Sequence, residues 1–217
     1  AESWSTFDAG ANGVGNDPDG YWCAELVGKY IYFVPYHNDS DFHSEVLRYD
    51  TTSNFQSAKS WSTFDAGANG VGNDPVGFEG AVFDGRYVYF VPHTREGGNH
   101  GEVLRYDTTD NFLSGNAWST FDAGANGVGN DPDGYVMGIF DGRYIYFVPY
   151  YNGKEYHGEV LRYDTTSNFQ SAESWSTFDA GANGVGNNPV AYEGAVFDGR
   201  YVYFVPSGTY QQYTDIS

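Results

Sequence analysis

A chain of 217 residues holds one all-β domain with a real core and is short for two. Its 29 acidic residues against 10 basic ones give a formal charge of −19, which repels nucleic-acid phosphates and anionic lipid and attracts cations. The single cysteine, Cys23, excludes an intramolecular disulfide, and no apolar run reaches the length of a membrane span.

Trp4, Trp61, Trp118 and Trp175 each open the string WSTFDAGANGVGN at intervals of 57 residues, marking a fourfold repeat. In chain order, residues 4–8 read as a leading strand, followed by a Gly-rich crossover into the first repeat. Each repeat then reads as four short strands, most clearly in the third. Tyr135 to Phe140 comes first; a tight reversal at Asp141-Gly142-Arg143 leads to Tyr144 to Pro149, then Glu159 to Asp164. A Ser- and Thr-rich connection over 165–174 precedes the last strand, Trp175 to Asp179. The final strand is expected at 210–216.

Such a strand set cannot bury both faces alone, so successive sheets must stack, as propeller blades or solenoid turns do. Pairing 4–8 beside 210–216 would complete the fourth sheet and leave no bare edge. The prediction is an all-β single domain over 1–217, a four-bladed β-propeller with four-stranded antiparallel blades. The blades cover about 20–65, 77–122, 134–179, and 191–217 plus 1–9, the ring being closed by the N-terminal strand in the last blade.

The unit GAVFDGRYVYFVP at 80–92, then GEVLRYDTT at 101–109, then Trp118, resembles the kelch class of propeller repeat. That order is a small-residue inner strand, a turn, an aromatic second strand, a strand ending in Tyr-Asp, and a Trp opening the outer strand. Where kelch repeats carry Gly-Gly after the second strand, this chain has Val-Pro, as at Val91-Pro92. The resemblance implies a propeller used for binding or scaffolding more than for catalysis.

Candidate functional residues gather in two loops expected on one face. All five histidines fall between the second and third strands, and three form His-x-Glu at the mouth of the third: His43 with Glu45, His100 with Glu102, His157 with Glu159. With Tyr36, Tyr150 and Tyr151 they suggest repeated shallow pockets for sugars, each ring stacking on a ligand oriented by polar groups. The plainer alternative is that His and Glu cap a strand at a solvated rim.

The crossover DAGANGVGNDPDGY supplies oxygen ligands among glycines, a pattern suited to Ca2+. Its candidate metal ligands are Asp8, Asn12 and Asp17; Asp65, Asn69 and Asp74; Asp122, Asn126 and Asp131; and Asp179 and Asn183. The alternative there is a crossover in which Gly and Asn simply make turns. The basic residues recur at fixed points of the repeat, which suggests salt bridges or stacking on Tyr.

Near-identical repeats and the lack of any catalytic motif argue against an enzyme. The expected function is multivalent carbohydrate binding by an extracellular or cell-surface propeller. The alternative is a structural or scaffold protein that forms homo-oligomers or filaments or binds protein surfaces. Nucleic acid is not an expected partner.

Overall fold

The structure, a computed structural model, describes residues 4–207. Among these the chain forms strands and short 3-10 turns but no α-helix, so no helix is long and apolar enough to cross a membrane. The first repeat forms β1 (Tyr21–Val27), β2 (Tyr30–Pro35), β3 (Glu45–Asp50) and β4 (Trp61–Asp65), paired antiparallel in chain order. The second forms β5 (Phe78–Phe83), β6 (Tyr87–Pro92), a small hairpin of β7 (Thr94–Arg95) and β8 (Gly98–Asn99), then β9 (Glu102–Asp107) and β10 (Trp118–Asp122). β11 (Tyr135–Phe140), β12 (Tyr144–Pro149), β13 (Glu159–Asp164) and β14 (Trp175–Asp179) make the third sheet, with the bounds expected from sequence. β15 (Tyr192–Phe197) and β16 (Val202–Pro206) pair in the fourth.

The Asp-Gly reversals are set by one side chain. Asp84 Oδ1 accepts hydrogen bonds from the amides of Arg86 (2.8 Å) and Tyr87 (2.6 Å), while Oδ2 accepts from the Tyr89 hydroxyl (2.7 Å). Gly85 takes the positive φ, 105°, that the turn requires. Asp141 and Asp198 repeat the device.

Stacking between sheets rests on aromatic pairs. Phe64 of β4 lies flat on Trp118 of β10, with centroids 4.7 Å apart and planes within 6°, and Phe121 lies likewise on Trp175. Each of these indoles is also held by its own sheet: Trp118 sits 4.6 Å from Tyr106 and donates Nε1–H to the Phe112 carbonyl at 3.0 Å. The Arg48 guanidinium lies between Tyr30 of its own repeat (4.3 Å) and Phe112 of the next (4.1 Å), and Arg105 does the same with Tyr87 and Phe169. Lys29, Arg86 and Arg143 pair with Asp50, Asp107 and Asp164. Both expected uses of the repeated cations are therefore present.

The first strands lie side by side, β1 on β5, β5 on β11 and β11 on β15. Close approach there needs glycine, since a Cβ on Gly80 would meet the Val136 carbonyl at 2.9 Å. Antiparallel sheets stacked face to face with their first strands together are the arrangement of blades.

The closing strand is not seen. Among the described residues, 4–8 have no ladder partner and Trp4 is 91% exposed, while the expected partner, 210–216, lies outside the described residues. The 57-residue period matches 210–216 in sequence to 153–159, the connection leading into β13, and not to a third strand. The leading segment takes the place of a preceding repeat's outer strand. Phe7 stacks on Trp61 at 5.0 Å as Phe64 does on Trp118, and Gln56 Nε2 donates to the Thr6 carbonyl.

Candidate functional site

The glutamates opening β3, β9 and β13 face the protein. Glu45 accepts hydrogen bonds from the amides of Asn16 and Asp17, Glu102 from Asn73 and Asp74, and Glu159 from Asn130 and Asp131, all at 2.8–3.1 Å. Each buried carboxylate thus ties down the crossover that leads into its own repeat. His100, 1% exposed, accepts from the Glu102 amide at Nδ1 and, with its proton on Nε2, donates to the Val76 carbonyl at 2.8 Å. His157 is buried and His43 half-buried, their rings set edge-on to Tyr135 and Tyr21. Burial lowers the pKa of all three imidazoles, that of His100 to about 3.

These six side chains therefore lie buried or half-buried beneath the crossover and not on a solvated rim, with His100 and Glu102 each in the wall of a cleft. The expected tyrosines stay at the surface and half-buried. Tyr36 packs on Trp22 (4.9 Å), and Tyr150 and Tyr151 both pack on Tyr156.

The crossover's polar groups build its turn. Asp8, Asp65, Asp122 and Asp179 each accept from the amide three residues on at 2.8–3.0 Å, while Asn12, Asn69, Asn126 and Asn183 donate back to the aspartate carbonyls at 2.7 Å. Asp17 accepts from Asn38, and Asp131 from Asn152 and Lys154, while the Asp74 carbonyl accepts from the Arg95 guanidinium at 3.5 Å. Among the described residues no three His, Cys, Asp or Glu side chains converge to hold a metal ion.

A different set of residues comes together where the repeats differ. Every first strand carries a β-bulge, between Tyr21 and Cys23, Phe78 and Gly80, Tyr135 and Met137, and Tyr192 and Gly194. The extra residues, one per repeat, are Trp22, Glu79, Val136 and Glu193. A bulge frees its residue from the ladder and re-aims the side chain, which is why bulges gather beside binding sites. Just beyond the second strands the matched positions are Tyr36, His93, Tyr150 and Ser207, three residue types in four places, as at the bulges.

These side chains meet both within and across repeats. His93 Nε2 is 3.3 Å from Glu79 Oε1 and its Nδ1 is 3.2 Å from the Tyr135 carbonyl; Ser207 donates to Glu193 at 2.8 Å, and Tyr150 lies 6.4 Å from His93. The Cys23 thiol is exposed and donates to the Glu79 carbonyl.

A carbonyl only accepts, so Nδ1 of His93 carries hydrogen. Burial favours the neutral ring, whose bare Nε2 then faces a protonated Glu79 carboxyl. Burial, and next the charge of Glu193, push Glu79 up to about 7, and burial lowers His93 to about 4.

In the unfolded chain the same single proton sits on histidine between the ordinary glutamate and histidine pKa values, so the pair leaves stability nearly flat over that range. Glu79→Gln removes the compensation. Its folded state then holds a neutral His93 that protonates on unfolding, so stability should rise by about 2 kcal/mol from pH 4 to 6.5. Urea denaturation across that range measures it, and a flat profile for the variant would contradict the assignment.

The differences between repeats, more than their identities, were the sequence signal for this cluster. No protein family matches the chain, and no curated protein is similar enough in sequence to serve as a relative.

Proposed function

We propose that this is a glycan-binding protein whose ligand lies across the bulged ends of the first strands. The supporting observation is that the positions at which the repeats diverge come together there. They bring the ring faces of Trp22, Tyr36 and Tyr150 beside the hydrogen-bonding groups of Glu79, His93 and Glu193. Aromatic faces take the C–H surface of a sugar, and carboxyl groups take its hydroxyls. The buried His-x-Glu pairs serve this function by holding the loops in place. Reading the stacked sheets as blades of a kelch-like ring belongs to the same proposal, and the lateral packing of β1, β5, β11 and β15 supports it.

The test is a glycan array, with retention on polysaccharide beads. The unaltered chain should bind a subset of glycans, and Trp22→Ala or Glu193→Gln should weaken that binding about tenfold or more. Trp22 and Glu193 are exposed, so neither change threatens the fold. Silence across a broad array would overturn the reading.

A further inference from the structure

The junctions between repeats are built alike except for one group, a serine hydroxyl at the first junction where the second and third carry glycine, Gly101 and Gly158. At the first junction the buried Ser44 hydroxyl donates to Asp65 Oδ1 (2.6 Å) and accepts from the Gly67 amide (2.9 Å). One period later the matching residues are Gly101, Asp122 and Gly124. Gly101 has no hydroxyl to offer, and among the described residues no side chain takes its place on Asp122 and the Gly124 amide.

A cleft of about 210 Å³ opens there, with Asp122, Gly124, Arg95, Asp131 and Asp133 among its walls. This is many times the roughly 30 Å³ of a water molecule in the liquid. Glycine is required at 101, because a Cβ there would collide with the Pro132 carbonyl and meet Asp133 Oδ1 at 2.9 Å.

Two further groups line this junction. Asp133 matches Asp19 of the first repeat and stands where the second and fourth repeats carry Val76 and Val190. Arg95, which stands where the first and third repeats carry Asn38 and Asn152, donates to the Asp74 carbonyl at 3.5 Å, lies 3.8 Å from Glu102 and shares the cleft wall with Asp133. The Asp133 carboxyl has no hydrogen-bond partner among the described side chains, and burial, then Asp131 and Asp122, push it up to about 6.

We infer that the cleft between the second and third repeats binds a vicinal diol of a sugar. One hydroxyl takes the role of the Ser44 hydroxyl between Asp122 and the Gly124 amide, and its neighbour bridges Asp133 and Arg95. Carboxylates accept from hydroxyls, while an amide and a guanidinium donate to them, so the walls match an array of alternating donors and acceptors. A cation suits the cleft less well. Arg95 is in its wall, Lys154 is bonded to Asp131 at 2.8 Å, and Asp122 already accepts from the Ala125 amide. The site shares its ligand class with the bulge site and none of its residues. A glycan spanning both would gain avidity over either alone.

The experiment is a titration of the 15N-labelled full chain with a panel of monosaccharides, and separately with Ca2+, following the Gly124 amide resonance. At least one sugar should move it saturably. Asp133→Val, which installs the residue of two sister repeats, should raise the Kd about tenfold or more, and Glu193→Gln should leave it unchanged. Three outcomes overturn the inference: no sugar in the panel moves Gly124, only Ca2+ moves it, or Asp133→Val leaves the Kd unaltered. Sugar binding lost in Glu193→Gln and kept in Asp133→Val would overturn this site and leave the bulge site standing.

Discussion

Glu102→Ala should destabilise the protein by about 3–5 kcal/mol in urea denaturation, one of the two largest single-residue effects anticipated. The carboxylate is 4% exposed and accepts from the amides of Asn73 (2.8 Å) and Asp74 (3.1 Å). Each charge-assisted bond contributes about 1.5–3 kcal/mol, and truncation leaves two amide donors facing a void. Gly72, at φ 77°, brings the loop backbone against this carboxylate, so the crossover has no nearby alternative seat. Glu102→Gln keeps one acceptor oxygen and should cost about half as much. A loss under about 1 kcal/mol for the alanine variant would show that the crossover is held some other way.

The other large effect is at Trp118. Its indole is buried between Phe64 of the preceding repeat and Tyr106, Phe90 and Phe112 of its own, with the ring nitrogen bonded to the Phe112 carbonyl. Trp118→Ala should cost about 3–5 kcal/mol through lost burial and the cavity left behind. Trp4→Ala, the same substitution in the same sequence string, should change stability by less than about 0.5 kcal/mol because Trp4 is exposed. Thermal melts of the two variants side by side make the comparison, and equal losses would contradict the junction as described.

Much of the architecture was legible because local signals agree. The Asp-Gly reversals, the alternating strands and the repeated Trp all point to the same four-stranded unit, and the bounds of β11 to β14 follow from them directly. The cations at Arg48 and Arg105 were read as salt bridges or stacking groups from their fixed place in the period, and they stack.

Two things were not legible. His-x-Glu looks the same whether a loop lies over it or solvent does, and the partner that decides, the amide pair Asn73 and Asp74, lies 29 and 28 residues away with no side-chain signature. The cluster at Glu79 and His93 escaped notice for the opposite reason. Repetition directs attention to what recurs, and a site made from one variable position per repeat is visible only as a set of mismatches. The leading segment's stacking on Trp61 follows from the repeat, since Phe7 meets Trp61 as Phe64 meets Trp118, while its expected ladder partner lies outside the described residues.

The aromatic stack between sheets also bears on how such a chain can change in length. Every 57-residue unit carries a plug, the phenylalanine of its WSTFD string, and a socket, the tryptophan of the same string that receives the plug of the unit before it. Copying a whole unit in tandem copies both halves of the joint, so a newly inserted unit mates with its neighbours on either side without any compensating substitution. Insertions or deletions out of step with that period would leave plugs facing the wrong surface and should be far less well tolerated.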